Sequence, residues 1–370
     1  MQDHDNGWRF LGREQEAFDE SAIRSYVEGK RVFITGTGGF IGSALARSLC
    51  QLSVKHLSLL DIAESGLHEL ALDLDRDSDV SRDLIVGDIC DAPLLADIFK
   101  RHRPQIVLHA AACKHVSLME ENPFAAARTN VLGTQQVAQV ASAFGAENMI
   151  LISTDKAVSP IGIMGATKRI AELVVLANRG ATRMNAVRLG NVLGSTGSVL
   201  PTLQRQISQG GPITLTDSDC TRYFVSINEA VQRLLSALLI DSPSTVFISH
   251  VSEPYRVVDL ARFLVENAGL DHQEIEYRFT GLRPGEKVSE RMTSDEETLA
   301  ISSVHGLWAV LYNSGPPQQQ LTAAIEEIEA ALHQRDPGRL LRAISIVLPS
   351  YVPSTLLQQM CDRAKARPIV

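Results

Sequence analysis

Five residues in the segment "STDKAVSPIGIMGATKRIAE" (153–172) define the chemistry open to this chain: Thr154, Asp155, Lys156, Met164 and Lys168. Asp155 and Lys156 are a carboxyl–amine doublet; Thr154 adds a hydroxyl that can hydrogen-bond but is no base at neutral pH. Taken alone, such a doublet is ordinarily an ion pair in a turn. Acid–base work near neutrality requires a protonated aspartate and a neutral lysine, so burial and neighbouring charge must move both groups toward neutrality. Lys168 is expected to help depress Lys156. Met164 and Lys168 lie four residues apart, on one side of a helix, and a thioether at 164 exchanges no proton.

Placing these groups requires a strand ahead of them and a helix behind. "NMILIST" is a β-branched run that delivers Thr154, Asp155 and Lys156 to the carboxyl edge of a sheet, where open α/β folds bind ligands. "RVFITG", "HLSLLD", "DLIVGD", "QIVLHAA" and "MNAVRLG" are similar runs, each followed by an amphipathic helical pattern. Their alternation predicts an α/β fold: a Rossmann-type doubly wound parallel sheet over 30–195, with helices on both faces and right-handed crossovers. Residues 1–29 read as an arm and a short helix, "ESAIRSYVEG", which Asp19 caps, Gly29 ends, and Ile23, Tyr26 and Val27 dock. Residues 196–315 read as a smaller α/β substrate-binding lobe with one returning sheet strand, "TVFIS". After "NSGPPQQQ", residues 316–370 read as a helical C-terminal tail.

"VFITGTGGFIGSALARSL" places T-G-x-x-G-x-x-G, with Thr35, Gly36, Gly39 and Gly42, between a strand and a helix. Glycines there let backbone N–H groups and the helix N-terminus approach a pyrophosphate, although similar turns also close ordinary βα units. Asp61 ends the next strand, 19 residues after Gly42. It is placed to accept from a ribose 2′-OH and would repel the extra phosphate of NADP, so NAD is favoured over NADP. Asp88 and Ile89 read as an adenine contact, or as an ordinary turn.

Composition excludes several function classes. The 370 residues, 45% hydrophobic and 21% charged, are those of a soluble protein with a large core, in two packed lobes. A net charge of -8 argues against a nucleic-acid partner, which needs clustered Lys and Arg. Cys50, Cys90, Cys113, Cys220 and Cys361 form no C-x-x-C pair, so no metal site and no disulfide framework is expected. The polar start "MQDHDNGWRF" lacks the features of a signal peptide. No apolar stretch reaches the roughly 18 residues of a membrane span. A cytoplasmic protein is expected.

The chain resembles the bacterial nucleotide-sugar 4,6-dehydratases of polysaccharide biosynthesis, typified by UDP-N-acetylglucosamine 4,6-dehydratase, within the extended short-chain dehydrogenase/reductase superfamily. "HAAACKHVSLMEENPF", "NVLGT", "STDKAVSPIGIMGATKRIAE", "RLGNVLGSTGSVLP", "GGPITLTDSDCTRYF" and "RPGEK" carry the resemblance. One branch, often fused to a membrane segment, has methionine where its relatives keep tyrosine, and this chain is similar to the soluble catalytic part of that branch. The resemblance implies a UDP-hexose substrate, dehydrated with or without inversion at C5. Recycled NAD takes hydride from C4 and returns it to C6. Asp155 would be the acid toward the C6 hydroxyl and Lys156 the base at C5. Thr154 would hydrogen-bond the C4 hydroxyl, and Lys168 would hold the nicotinamide ribose. The group that takes the C4 hydroxyl proton stays unassigned.

The candidate cofactor contacts also include Phe40, Ile41, Ala110, Ala111 and Asn130, the last with a structural or proton-relay role or a plain helix N-terminal one. On the sugar side the resemblance implies Lys114 as a substrate contact, Asn191 on the diphosphate, Arg222 and Arg283 as phosphate-binding cations and Glu286 on the uridine ribose. Val199 and Thr214 complete that set, while Met119 and Glu120 could pack and cap. Ser159, Ile161 and Gly162 stand where asparagine, threonine and asparagine are common in the family, Cys113 replaces a frequent tyrosine, and Ser117 replaces proline. These changes fall on loops expected around the sugar and leave the hexose open. Two other readings stand beside the dehydratase: a 4-epimerase or C4 oxidoreductase of the same fold, and a non-catalytic NAD-binding regulator. Family members commonly self-associate, so a homo-oligomer is expected.

Overall fold

Apolar runs of four to seven residues become the strands of one sheet: β1 (Arg31–Thr35), β2 (His56–Asp61), β3 (Arg82–Val86), β4 (Ile106–His109), β5 (Asn148–Thr154) and β6 (Arg183–Leu189). The computed structural model describes residues 9–13, 18–77, 80–178, 180–242, 244–249, 253–271, 273, 275–312 and 315–365. The expectations for residues 1–8 and 14–17 of the arm, Asn313 and Ser314 of the linker and the last five residues of the tail fall outside the described residues. Short strands follow in the next segment: β7 (Asn191–Val192), β8 (Ile213–Leu215), β9 (Thr221–Arg222) and β10 (Phe224–Val225). After them come β11 (Val246–Ser249), β12 (Tyr255–Arg256), β13 (Tyr277–Phe279), β14 (Glu297–Ile301) and β15 (Leu307–Tyr312).

The main sheet has the order β14-β15-β11-β6-β5-β4-β1-β2-β3. From β3 to β11 all neighbours are parallel, and β15 and β14 add an antiparallel edge. Strands of a parallel sheet are covered on both faces, and β1, β4, β5 and β6 are accordingly buried nearly throughout. This is the expected Rossmann-type α/β class, with the strand order reversing beside β1. Three sheet strands, β11, β14 and β15, return from the segment where the sequence suggested one. β14, "ETLAI", is exposed over most of its length and carries little apolar signal, whereas β15, "LWAVLY", is an apolar run that the sequence reading passed over although it joins the sheet as an antiparallel strand.

Two further cores position the site. Leu200, Leu203, Ile207, Ile213, Leu215, Phe224 and Leu260 form a separate apolar cluster within the segment 196–315. The tail helices Gln318–Gln334 and Pro337–Val347 place Leu321, Ile325, Ile328, Leu340 and Ile344 in one apolar cluster with Ile163, Met164 and Ile170 of the helix Ile163–Leu176. Burying each such side chain is worth about 1.5–3 kcal/mol, so the tail fixes the back of the helix that follows Asp155 and Lys156. The short helix Glu20–Val27 forms as expected: Asp19 accepts from Ala22 N, Gly29 has φ +69°, and Ile23 and Val27 are buried.

Candidate active site

The glycine turn after β1 is built for close approach. Gly36 has φ +73°, and a Cβ there would lie 2.5 Å from Ala111 N. At Gly42 a Cβ would meet Gly36 O at 2.1 Å. The turn therefore nests against Ala110 and Ala111 after β4, where the strand order reverses and open sheets bind ligands. Gly39 is the N-cap of the helix Phe40–Cys50 and offers it no side chain, so the positive end of the helix faces the crevice. Asp61, at the end of β2, accepts from Gly38 N through Oδ2 and from Ala63 N through Oδ1, each at 2.8 Å. Turn, helix end and carboxylate together fit a dinucleotide: pyrophosphate on Gly36–Gly42 and a ribose hydroxyl at Asp61.

Other residues expected at the cofactor have protein partners. Asp88 Oδ2 pairs with Arg128 NH1 at 2.6 Å and its Oδ1 accepts from Cys90 N. Burial works against its charge, but those bonds hold its carboxyl below the usual range. Ile89 is buried against Gly133. Asn130 is not at a helix N-terminus, which corrects that alternative: it lies in a π-helical turn, Arg128–Gly133, that carries the helix Pro123–Ala127 into Thr134–Ala143. Its amide bonds both backbone groups of Cys113 and the hydroxyl of Thr167. His109 joins the same net, meeting Thr35 Oγ1 at 2.7 Å and Thr134 Oγ1 at 3.0 Å. Burial, with Lys168 nearby, pushes its pKa down to about 3, so its ring is a neutral link.

At the end of β5 the proton-carrying groups converge. Thr154 Oγ1 donates to Asp155 Oδ1 at 2.9 Å, and Lys156 Nζ reaches the same oxygen at 2.9 Å and Asn191 Oδ1 at 2.9 Å. Asp155 is fully buried, yet its Oδ2 has no hydrogen-bond partner among the described residues. Leaving a buried polar atom unpaired costs about 1–3 kcal/mol, so Asp155 holds an unfilled acceptor inside the protein. Lys156 keeps a fifth of its side chain exposed, so the doublet is open on one side.

The helix Ile163–Leu176 corrects one expectation. Lys168 donates to Ile152 O at 2.6 Å, which directs its ammonium at the strand and not at Lys156. Desolvation lowers its pKa to about 8, against the pull of Glu172. Met164, 2% exposed, sits in the cluster shared with the tail, so the structure gives it packing and no part in proton chemistry. Glu120 caps this helix by accepting from Ile163 N at 2.6 Å, and its other oxygen accepts from Ser354 ahead of the last tail helix.

Beneath the site lies a second buried ion cluster that the sequence reading did not identify. Arg188 of β6, fully buried, binds Glu172 through Nε and NH2 and Glu297 through NH1 and NH2, all at 2.8–2.9 Å. Ser153 also donates to Glu172, and Arg169 pairs with it at 2.8 Å. The available signal was an arginine inside an otherwise apolar parallel strand, "NAVRLG".

The sugar-side residues divide in use. Lys114 donates to Thr196 O, and partial burial lowers its pKa. Arg222 is a brace for the "RPGEK" loop: NH1 holds Thr221 O and Val288 O and NH2 holds Lys287 O, so those donors are committed to backbone and not offered to phosphate. Thr214 is doubly bonded to Gln206. Val199 opens the helix Val199–Ser208 and is half-buried. Arg283 is exposed, in a turn where its N–H donates to Glu286 Oε2. Ser159 has φ +39°, a conformation asparagine adopts more readily, so the family's asparagine there has a backbone reason. A Cβ at Gly162 would stand 3.0 Å from Gly285, so glycine lets the "RPGEK" loop close on this turn. A separate cavity of about 960 Å³, lined by Gln139, Leu176, Tyr312 and Leu321, includes none of these groups.

The model of a family described as polysaccharide biosynthesis protein matches residues 32–310. The chain is 38% identical over 314 residues to a probable polysaccharide biosynthesis protein, EpsC, of Bacillus subtilis, covering 81% of this chain and 52% of that protein. The chain thus spans about half the length of that relative. It is 31% identical over 288 residues to an inverting UDP-N-acetylglucosamine 4,6-dehydratase of Campylobacter jejuni, covering 76% of this chain and 83% of the other. UDP-glucose 4-epimerases of Rickettsia match at the same identity. The X-ray structure of Pen from Bacillus thuringiensis superposes with a TM-score of 0.71 at 28% identity, over 78% of this chain and 90% of that one.

Proposed function

This chain belongs to the polysaccharide biosynthesis protein family, and on that premise we propose that it is a nucleotide-sugar 4,6-dehydratase acting on a UDP-hexose, with UDP-N-acetylglucosamine as first candidate. The observation that carries this reading is the Thr154–Asp155–Lys156 cluster at the carboxyl end of β5, where a buried carboxylate has one oxygen without a hydrogen-bond partner among the described residues. Epimerisation at C4 needs no acid for a leaving C6 hydroxyl, so a second proton-transfer pair favours dehydration. NAD, held by Gly36, Gly39, Gly42 and Asp61, supplies the reversible hydride acceptor when bound.

Thr154 takes the C4 hydroxyl proton and passes its own to Asp155 Oδ1 along a hydrogen bond that is already formed. This relay replaces the missing tyrosine and leaves Asp155 protonated, the form that must deliver a proton to the departing C6 hydroxyl. Neutral Lys156 removes the C5 proton, made acidic by the 4-keto group, and later returns a proton to C5. Protons balance: the C4 hydroxyl proton leaves with water, and C5 recovers one. Asn191 orients Lys156, and the open edge of the doublet admits the sugar.

Incubating the purified chain with UDP-hexoses and following products by mass spectrometry tests the reading; loss of one water without added reductant supports it. A product of unchanged mass indicates a 4-epimerase, and absence of both turnover and bound NAD indicates neither enzyme. In solvent deuterium the wild type labels C5, and Lys156→Ala does not; continued exchange in that variant would remove Lys156 as the base.

A further inference from the structure

The rim of the sheet opposite the doublet holds another set of ligand-type side chains. His56 opens β2, Asp83 is the second residue of β3, and His102 closes the helix Ala92–His102. Parallel strands start on one side, so β2 and β3 bring the first two to the same rim, and the crossover helix ending there adds the third. The ligand atoms of all three lie within 4.8 Å of one another. Asp83 Oδ2 is 3.3 Å from His56 Nε2 and 3.5 Å from His102 Nε2. The two imidazoles stack with centroids 4.7 Å apart and planes 8° from parallel, so both present Nε2 to one carboxylate oxygen.

Two details separate this cluster from an ordinary ion pair. His56 Nε2 is buried and, although near Asp83, has no hydrogen-bond partner among the described residues. His56 Nδ1 meets Ser81 Oγ at 3.0 Å, the outer-sphere contact that fixes the orientation of a ligating imidazole. Two imidazoles and a carboxylate suit zinc-like first-row ions. The half-exposed Asp83 leaves a side open for water as a fourth ligand.

We propose that His56, Asp83 and His102 form a binding site for a divalent first-row transition metal of the zinc class, clamping β2, β3 and the helix Ala92–His102 at the rim away from the dehydratase site. The spacing of 27 and 19 residues between the ligands hides the site from any contiguous motif. It stands or falls independently of the proposed reaction.

The test uses the full chain, stripped with chelator and titrated with Co²⁺. Expected is one equivalent of saturable binding with visible d–d bands, displaced by Zn²⁺ and accompanied by a rise in Tm. His102→Ala and Asp83→Asn should each weaken Co²⁺ binding by about tenfold or more and abolish the Tm rise. Should His102→Ala fail to fold, Asp83→Asn decides alone, because that side chain is half exposed. Absence of a saturable band, binding unchanged in Asp83→Asn, or a thiolate charge-transfer band that assigns the metal to cysteine would each overturn the proposal.

Discussion

Two buried acid–base clusters lie one strand apart, and they differ in how completely they are satisfied. Around Arg188, both oxygens of Glu172 and both of Glu297 accept hydrogen bonds, from Ser153, Ser294 and the guanidinium groups of Arg169 and Arg188. Around Asp155, one oxygen takes Thr154 and Lys156 and the other takes nothing among the described residues. A saturated network in a low-dielectric interior is rigid and has no vacant acceptor for a substrate. An unsaturated one retains an unfilled acceptor, so satisfaction, more than burial or charge, separates the brace from the candidate site. Backbone links them, because Ser153 of the brace immediately precedes Thr154 of the proposed relay.

Breaking the brace should have the largest effect. Arg188→Met leaves Glu172 and Glu297 without their main cation and should destabilise the fold by about 3–5 kcal/mol, as removal of one partner from a buried ion pair does. Urea unfolding measures it, and a loss below about 1 kcal/mol would mean the brace is not structural. Asp155→Asn should do the opposite. Its Tm should stay near that of the wild type, while water loss from the UDP-sugar falls by about 10²–10⁴-fold, the usual contribution of a general acid. Equal loss of stability and activity would erase the distinction between the clusters.

Acid titration sharpens the comparison. Burial works against the charge of Glu172, but Arg188, Arg169 and Ser153 outweigh it and hold its pKa down to about 2. A depressed folded-state carboxyl contributes stability that is fully present above its unfolded value, near 4.5, and is lost as pH falls toward about 2. Unfolding followed over that window should show stability dropping with acid, and Glu172→Gln should flatten this part of the dependence. Met164→Leu should have the smallest effect, under about 1.5 kcal/mol in stability, because it conserves volume in an apolar cluster. Retained dehydration in that variant confirms that the thioether only packs; an activity loss with unchanged Tm would return Met164 to the chemistry.

Local patterns were legible in the sequence wherever one stretch of chain made the feature. The helix at Glu20–Val27, the glycine turn and the delivery of Thr154, Asp155 and Lys156 by β5 each depend on neighbours within a few residues. Partner choice was less legible. Arg222 was expected to meet phosphate, but Lys287 and Val288, 65 and 66 residues away, supply carbonyls that hold it. Lys168 was expected to act on Lys156, but it donates to Ile152 O of β5, 16 residues earlier in the chain.

By itself, then, the sequence determined the βαβ order, the glycine turn after β1 and the placement of Thr154, Asp155 and Lys156 at the end of β5, because strand period, glycine conformation and adjacency along the chain are short-range properties. Tertiary structure alone decided which oxygen of Asp155 stays unpaired among the described residues, that Met164 is sealed by a tail more than 150 residues further on, and that Arg188 joins two glutamates 125 residues apart. Those outcomes depend on which groups compete for the same donors once distant segments pack together, and that competition is settled only in the folded core.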